Sequence, residues 1–261
     1  MDLQLHDNRV LVVGASEGIG YATARTLANE GARVTIAART PDKVARAAET
    51  LTKETGRPVA AVAVDVTDPA SVQALLDGWS EPALDALVVA TGGSRRARFE
   101  ELDDEAWLHN YEHNVLGGVR LVRGFLPRLR AGNSPRVLLF GGAAAKMPYP
   151  NQVVSNVHKA GLLALTKTLA AELATDGIRV NAINPGRTLT RLWRDRAEAM
   201  AREQELPVEE VIAHFAEEIL IGRFAQAEEI ADVATFLLSA RASYIVGQSI
   251  NVDGGIARGL L

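Results

Sequence analysis

Short apolar runs alternate with longer helical patterns along most of this chain. A run of about four to eight apolar residues between turn residues predicts a buried strand, whereas a longer run with an apolar period of about 3.6 residues predicts a helix. The predicted strands cover residues 9–13, 33–37, 59–64, 84–90, 136–140, 178–183 and 247–252. Strands that alternate with helices predict a mainly parallel sheet covered on both faces. We therefore expect an α/β fold with a doubly wound, mainly parallel, seven-stranded sheet of the Rossmann type.

The helical runs between these strands include one that carries a lysine. The predicted helices cover residues 21–30, 42–55, 71–79, 103–129 with a break near 110–114, and 152–175. Asn151 follows two prolines and is the predicted N-cap of the last of these helices. Ser155 and Lys159 lie four residues apart on that helix, so both project from one face. With the glycine-rich end of the preceding strand, residues 140–161 are predicted to form an active-site wall.

One stretch departs from the alternation of strand and helix. Residues 188–226 hold two helical runs, the second of which opens at Pro207. An inserted helical pair beyond the carboxyl end of a strand lies where ligands bind in such sheets, so we expect a small, mobile helical lid over the substrate. No linker rich in proline, glycine or serine divides the sequence, and a single domain over residues 1–261 is therefore the simplest interpretation.

Composition excludes several classes of function. The net charge is −4, and a sequence with no basic domain or tail and few aromatic residues is not expected to bind nucleic acid. The absence of cysteine excludes disulfides, thiolate nucleophiles and cysteine-ligated zinc, and no cluster of His, Asp and Glu has metal-ligand spacing, so we predict no metal. The first residues lack the basic and apolar regions of a secretory signal, and no apolar run is long enough to span a membrane. We expect a cytoplasmic location.

A glycine-rich loop that contains Gly14, Gly18 and Gly20 joins the first predicted strand to the first predicted helix. Glycine at these positions lets the backbone approach a pyrophosphate closely, and the helix N-terminus directs amide N–H groups at it. The pattern G-x-x-x-G-x-G in this context therefore predicts a dinucleotide site. The alternative is a tight turn that only packs on the sheet.

The end of the second predicted strand favours one dinucleotide over the other. An acid there would accept hydrogen bonds from the adenosine ribose, whereas an arginine favours a 2′-phosphate. The sequence has no acid at this point but has Arg39, so NADP(H) is preferred over NAD(H). The alternative is a solvated arginine near a helix start. Asp65, with backbone help from Val66, could bind the adenine amino group, or it could cap a turn.

Further motifs follow the glycine loop in a fixed order: Asp65-Val66, Ala90-Thr-Gly-Gly93, Asn114, Lys159, Arg179-Val-Asn-Ala-Ile-Asn-Pro-Gly186 and Gly247-Gln-Ser-Ile-Asn-Val-Asp-Gly-Gly255. Over nearly the whole chain this order resembles the short-chain dehydrogenase/reductase family. The resemblance implies NAD(P) binding and an assembly that is usually a homotetramer, with a homodimer as the alternative. The cofactor-binding residues that we predict are Gly14, Ser16, Glu17, Gly18, Ile19, Gly20, Arg39, Asp65, Val66, Ala90, Thr91, Gly92, Lys159, Pro185, Gly186, Thr188 and Thr190.

The resemblance also implies a catalytic set of Asn, Ser, Tyr and Lys, with Tyr and Lys spaced as Y-x-x-x-K. In that family the Tyr transfers the proton, the Ser orients the substrate carbonyl, the Lys lowers the Tyr pKa and holds the nicotinamide ribose, and the Asn supports a water relay. Asn114 and Lys159 match this set. Ser155 stands at the Tyr position, and Gly142 stands at the Ser position.

The proton donor is therefore an open question in the sequence. The Ser155 hydroxyl reaches about 4 Å less far from its Cα than a tyrosine hydroxyl, and it lacks the phenol pKa of about 10. Lys159 could protonate the substrate directly, or through Ser155 and water, and we prefer this relay. Tyr149 could fold back over the site, although we favour an exposed loop aromatic. His113 and His158 adjoin matched residues on a helix, so we expect both to face away from the site and to be structural or interface residues.

Three hypotheses of function follow. The leading one is an NADP(H)-dependent oxidoreductase that moves a hydride between the nicotinamide and a small carbonyl or alcohol substrate, with Lys159, Ser155 and Asn114 as a modified relay. The second is a cofactor-binding pseudoenzyme, and the third is a non-redox enzyme that performs elimination, isomerisation or cyclisation. Arg95, Arg96 and Arg98 could draw an anionic substrate, or they could be a solvated charge run. Trp193, in the lid, is expected to be a packing residue.

Overall fold

The strands form a parallel sheet at the centre of the molecule. The structure, a computed structural model, describes residues 1–93 and 96–259. The strands are β1 (Arg9–Val13), β2 (Arg33–Ala38), β3 (Val59–Ala63), β4 (Ala86–Val89), β5 (Arg136–Phe140), β6 (Arg179–Pro185) and β7 (Ser249–Val252). Within the described residues they form one seven-stranded sheet in the order β3-β2-β1-β4-β5-β6-β7, with every neighbouring pair parallel. The predicted fold class, a single Rossmann-type domain, is confirmed.

Helices cover both faces of the sheet. Their bounds are α1 (Gly18–Asn29), α2 (Pro41–Thr55), α3 (Pro69–Gly78), α4 (Asp104–Tyr111), α5 (Gly117–Arg130), α6 (Val153–Leu173), α7 (Arg191–Gln204), α8 (Val208–Ala216) and α9 (Ala227–Leu238). Successive strand residues point to opposite faces, so Val10 and Val12 of β1 pack in one core with α1, α2 and α9. Leu11 and Val13 pack in a second core with α3, α5 and α6. The apolar strands are therefore buried on both sides, as a parallel sheet requires.

Two helix starts differ from the predictions. The first helix begins at Gly18 rather than at residue 21, so the end of the glycine loop is already helical. The helix α6 has Gln152 as its N-cap, and the prediction that Asn151 caps it is wrong. Asn151 has a φ of 58°, a left-handed conformation that Asn tolerates in turns and that lies outside the extended range typical of an N-cap.

The predicted helix over residues 103–129 is divided by a wider turn. A π-helical segment, Glu112–Leu116, separates α4 from α5 close to the break predicted near 110–114. Such π turns are rare, and they are frequent at functional sites because they re-aim side chains relative to an α-helix. This one lies beside the carboxyl end of β4, where Asn114 meets the loop that follows that strand.

The order of the strands fixes where a ligand can bind. The chain winds outward from β1 to β3 and then returns to β4 on the other side of β1. Loops on either side of this reversal leave the carboxyl edge of the sheet in opposite directions and open a crevice there. The lid segment, with α7 and α8, follows β6 at the same edge and contains the two predicted helical runs.

In the described part of the chain, no helix combines the length and apolarity needed to cross a membrane. Across residues 1–93 and 96–259, no group of three or more His, Cys, Asp or Glu side chains is arranged to hold a metal ion.

Candidate active site

A cleft with a volume of about 510 Å³ opens at the carboxyl edge of the sheet. All the residues predicted from the sequence to bind the cofactor line this cleft. They come together because parallel strands end at one edge, and the loops after β1, β2, β3, β4 and β6 all contribute to it. Of the four catalytic candidates, Ser155 and Lys159 line the cleft, whereas Asn114 and Tyr149 do not.

The glycine loop forms a cradle at the start of α1. Gly14 has a φ of +85°, and a Cβ there would lie 2.7 Å from the carbonyl oxygen of Ala90. A Cβ on Gly20 would collide with the carbonyl of Gly14 in the same way. Glu17, the N-cap of α1, forms a salt bridge of 2.7 Å with Lys43. The loop is thus tightly folded in a way that only glycine permits, and the first residues of α1 line the cleft, which is the arrangement that binds a phosphate.

The other end of this cradle combines cationic side chains with one acid. Arg39 is exposed after β2, and Lys43 on α2 lines the cleft beside it. Asp65 accepts hydrogen bonds at Oδ1 from the backbone N–H of Thr67 at 2.9 Å and from its hydroxyl at 2.7 Å, so it caps this turn. The binding of the adenine amino group by Asp65 stays a prediction. Burial opposes ionisation, but the bonds from Thr67 and the charge of Arg39 outweigh it and lower the pKa of Asp65.

Lys159 is the charged residue most deeply placed in the cleft wall. Its side chain is only 8% exposed, and Nζ donates a hydrogen bond of 3.1 Å to the carbonyl oxygen of Phe140 at the end of β5. A Cβ on Gly92 would lie 2.9 Å from this Nζ and 3.6 Å from Oδ1 of Asn114. Because Gly92 has no side chain, Lys159 and Asn114 can both lie close to its backbone. Burial lowers the pKa of Lys159 to about 8. The ammonium group is therefore poised to give or take a proton near neutral pH.

A buried amide network supports this corner of the cleft. Nδ2 of Asn114 donates to the carbonyl oxygen of Gly93 at 2.8 Å and to Oδ1 of Asn110 at 3.0 Å. Nδ1 of His158 lies 3.0 Å from the same Asn110 oxygen, so Nδ1 carries the proton and donates it. Burial, followed by the charge of Lys159, lowers the pKa of His158 and keeps the ring neutral. Asn114 is thereby fixed against the Gly93 backbone.

The two histidines differ in their positions. His158 is buried and packs edge-on against Trp107, in agreement with its predicted structural role. His113 lines the cleft, so the prediction that it faces away from the site is wrong. That prediction assumed α-helical rotation, whereas His113 lies in the π-helical segment Glu112–Leu116. Burial and then the charge of Lys159 lower the pKa of His113.

Tyr149 is half-buried, and the favoured prediction of an exposed loop aromatic is wrong. The lid covers it, because Tyr149 packs in an apolar cluster with two lid residues, Ile219 and Phe224. The guanidinium of Arg187 lies 6.0 Å from the centre of its ring. Burial raises the pKa of Tyr149, and the charge of Arg187 only partly opposes this effect.

The predicted arginine group divides into residues with different surroundings. Arg98 is exposed and forms a salt bridge of 2.5 Å with Glu100, as a solvated charge would. Arg96 is half-buried, and its guanidinium carbon lies 5.2 Å from the ring centre of Trp193. Arg95 lies outside the described residues. Trp193 packs against Phe215 and Phe224 as expected, but it also lines the cleft.

Sequence reasoning missed three side chains of the site. Lys43 and Arg196 line the cleft, and Asn110 holds Asn114. The spacing of Asn110 and Asn114, four residues apart on a helical run, is a signal that could have linked these two residues. Lys43 and Arg196 belong to strongly polar helices, where nothing in the local pattern separates them from solvated neighbours.

The doubly wound sheet, the glycine cradle and the cleft at the carboxyl edge define a Rossmann-type domain. A family model described as enoyl-(acyl carrier protein) reductase matches residues 14–257. The chain belongs to the short-chain dehydrogenase/reductase family.

Three known proteins illustrate the similarity. The chain is 36% identical over 250 residues to cis-4-hydroxycyclohexanecarboxylate dehydrogenase from Sinomonas cyclohexanicum, with 94% of each chain covered. L-sorbose reductase from Gluconobacter frateurii, solved with NADPH and L-sorbose, is 36% identical, with a TM-score of 0.96 and 100% of both chains covered. An NADPH-bound short-chain oxidoreductase from Pseudomonas aeruginosa PAO1, described as containing an atypical catalytic centre, is 30% identical, with a TM-score of 0.88 and coverage of 97% of this chain and 98% of that one.

Proposed function

We propose that this protein is an NADP(H)-dependent oxidoreductase that interconverts a small carbonyl compound and its alcohol, with Lys159 as the proton donor and acceptor. The observation that carries the proposal is the buried Nζ of Lys159, which lies in the wall of the cleft beside Gly92 and Asn114. The lowered pKa of about 8 makes this group a usable acid and base near neutral pH.

The residues of the cleft fit a dinucleotide. Gly14 and Gly20 let the loop pack tightly on the backbone of Ala90 and of Gly14 itself, and the start of α1 offers N–H groups to a pyrophosphate. The hydroxyl oxygen of Thr91 is buried at the cleft and has no hydrogen-bond partner in the described part of the chain, so a polar ligand group can satisfy it. Arg39 and Lys43 would bind a 2′-phosphate, which supports NADP(H) over NAD(H). Two similar proteins were solved as NADPH complexes, which also supports a preference for NADP(H).

The proton relay in this proposal differs from that of a typical family member. Ser155 replaces the tyrosine and Gly142 replaces the serine that the family motif implies. The similarity to an oxidoreductase described as having an atypical catalytic centre supports activity without the full set. Tyr149 keeps a hydroxyl, but it lies outside the cleft lining and is the weaker candidate for the donor.

Reduction of a carbonyl group requires a hydride at the carbon and a proton at the oxygen. When bound, NADPH would supply the hydride, with its two electrons, to the carbonyl carbon and leave as NADP⁺. Lys159 would give a proton from Nζ to the carbonyl oxygen, directly or through the Ser155 hydroxyl and a water molecule, so that the product is an alcohol. Asn110 and Asn114 would hold the loop at Gly93 through their amide groups. Water molecules would return a proton from solvent to Lys159. Alcohol oxidation runs these steps in reverse.

The lid and the oligomer complete the proposal. The segment 188–226 would close over the substrate and exclude water from the cleft.

Leu108 and Tyr111 on α4 and Val157 on α6 are 64%, 40% and 50% exposed, and these apolar side chains would be covered by a second copy in a homotetramer or homodimer. A cytoplasmic location stays a prediction.

The proposal is tested by NADPH oxidation with a broad panel of small carbonyl compounds. We expect at least one compound to be reduced well above background, and Lys159→Met to lower kcat by about 10²-fold or more because the proton donor is lost. Lys167→Met, an exposed lysine on the same helix, is the control. Background rates with every compound, together with tight NADPH binding, would instead favour the cofactor-binding pseudoenzyme. Substrate turnover without net NADPH consumption would favour a non-redox enzyme.

The cofactor preference has its own test. NADPH should bind about tenfold or more tightly than NADH, because a charged hydrogen bond to the 2′-phosphate is worth roughly 1.5–3 kcal/mol. Arg39→Ala should remove most of this difference, whereas Arg46→Ala, exposed on α2, should not. Equal affinities of the wild-type protein for the two cofactors would refute the role of Arg39.

A further inference from the structure

Three arginine side chains lie around the indole ring of Trp193, which belongs to the lid helix α7. Their guanidinium carbons lie 5.2 Å (Arg96), 5.8 Å (Arg187) and 5.9 Å (Arg196) from the ring centre. They come from three separate segments: the loop after β4, the loop after β6, and α7. We call Arg96, Trp193 and Arg196 the arginine–tryptophan cluster.

The positive charge of this region is only partly balanced. Arg187 forms a salt bridge of 2.6 Å with Glu218 and also donates to the carbonyl oxygen of Phe215. Within residues 1–93 and 96–259, neither Arg96 nor Arg196 forms a salt bridge, and the buried Nε of Arg96 has no hydrogen-bond partner. Burial and then the charges of Arg196 and Arg187 lower the pKa of Arg96, while burial lowers that of Arg196. Guanidinium groups held together and partly desolvated favour the binding of an anion.

The position of the cluster relates this charge to the reaction. Trp193 and Arg196 line the same cleft as Ser155 and Lys159, on the side of the lid. Arg96 is not one of the lining residues, and it adjoins this side of the cleft through its contact with the ring of Trp193. An anionic group bound there would therefore belong to the substrate, since the cofactor phosphates have their own cradle at the start of α1.

We propose that Arg196, which lines the cleft, binds a carboxylate of the substrate together with Arg96 from the other segment at Trp193, so that the protein acts on a small carbonyl compound or alcohol that also carries a carboxylate. This inference rests on the proposed function. A guanidinium presents parallel N–H groups that match the two oxygens of a carboxylate, and the flat indole of Trp193 keeps both arginines in place by stacking. Of the three arginines predicted to attract an anion, Arg96 belongs to this cluster and Arg98 does not.

Binding of matched ligand pairs tests the inference without relying on turnover. Isothermal titration calorimetry would compare benzoate with benzamide, cyclohexanecarboxylate with its carboxamide, and 4-oxopentanoate with its amide, with and without saturating NADPH. We expect at least one carboxylate to bind about tenfold or more tightly than its neutral partner, because the free energy of a charged hydrogen bond corresponds to about this ratio of affinities. Arg96→Met and Arg196→Met should each remove most of this ratio.

Exposed arginines nearby provide the controls. Arg98→Met lies in the same loop as Arg96, and Arg194→Met lies on the same helix as Arg196, so both should keep the wild-type ratio. Ratios within about twofold of one for every pair in the wild-type protein would overturn the inference, as would a ratio that survives the double variant of Arg96 and Arg196. Inorganic phosphate that binds at these residues more tightly than every carboxylate would overturn the assignment of a carboxylate.

The outcomes also separate this inference from the proposed function. If neutral ketones are reduced with NADPH but no carboxylate is preferred, the oxidoreductase stands and the carboxylate site fails. If carboxylates bind through Arg96 and Arg196 but no carbonyl compound is ever reduced, the site stands and the oxidoreductase fails.

Discussion

At the scale of single residues, Lys159 combines a stability cost with a functional benefit. Its pKa falls from the ordinary value of 10.5 to about 8 because the ammonium group is buried. Between these two values the unfolded chain binds more protons than the folded protein, so the free energy of unfolding rises with pH from about 8 to about 10.5. Below pH 8 the full penalty of burying the charge is present.

Replacing this lysine should therefore stabilise the protein. The fall of the Lys159 pKa from 10.5 to about 8 corresponds to roughly 3 kcal/mol, and loss of the hydrogen bond to Phe140 offsets about 1 kcal/mol of that gain. We expect Lys159→Met to raise the free energy of unfolding at pH 7 by on the order of 2 kcal/mol. The variant should also lose the increase in the free energy of unfolding that Lys159 causes between about pH 8 and 10. Urea denaturation across this pH range measures both effects. Lys167→Met should change neither quantity, and a destabilised Lys159→Met protein would contradict the assigned cost of burial.

Gly142 and Ser155 should be convertible into a typical family site. Gly142 has extended backbone, and a Cβ there would meet no atom within 4 Å, so a serine fits without strain. Ser155 lines the cleft one helical turn from Lys159. We expect the double variant Gly142→Ser, Ser155→Tyr to raise the rate of carbonyl reduction by about 10²-fold, because a general acid positioned at the substrate accelerates such a reaction by about this factor.

The control for this gain keeps the bulk and removes the acid. Gly142→Ser combined with Ser155→Phe places a ring of similar size on α6 but no phenol hydroxyl, and it should give no increase. Equal rates for the Tyr and Phe variants, measured by NADPH oxidation, would show that the cleft does not use an acid at position 155.

At the scale of elements, the glycine loop and the π-helical segment Glu112–Leu116 place the site. The loop was evident in the sequence because its function requires glycine at fixed points. The π-helical segment appeared only as a break in a helical pattern, and such a break does not show that the turn is widened to i→i+5 hydrogen bonds. For this reason the α-helical rotation assumed from the sequence gave the wrong direction for His113.

The glycine cradle can be tested against a glycine of similar backbone geometry elsewhere. Gly14→Ala would place Cβ 2.7 Å from the Ala90 oxygen at a φ of +85°, and we expect it to weaken NADPH binding by tenfold or more and to cost about 2 kcal/mol of stability. Gly56, after α2, has a φ of +66° with open space around it. Gly56→Ala should cost only about 1 kcal/mol and leave NADPH affinity unchanged. Fluorescence titration and urea denaturation measure the two effects, and equal losses of affinity would contradict the role of the loop.

At the scale of the whole molecule, the sequence predicted the sheet and the residues along the cleft better than it predicted the lid. The strands and the glycine loop depend on local patterns, and parallel topology then brings their ends to one edge. Tyr149 was misplaced because its burial comes from lid residues some 70 positions later, such as Ile219 (219 − 149 = 70). Arg196 was missed because only the packing of α7 over the cleft separates it from exposed arginines on the same helix.

The pH dependence of carbonyl reduction tests the central claim most directly. If Lys159 donates the proton, kcat for reduction should be constant below about pH 7 and fall about tenfold per pH unit above the pKa of about 8, while alcohol oxidation should rise over the same range. Lys159→Met should abolish this dependence together with most of the activity. A reduction rate that stays constant from about pH 6 to 10, or a Lys159→Met enzyme that keeps the wild-type profile, would contradict the account.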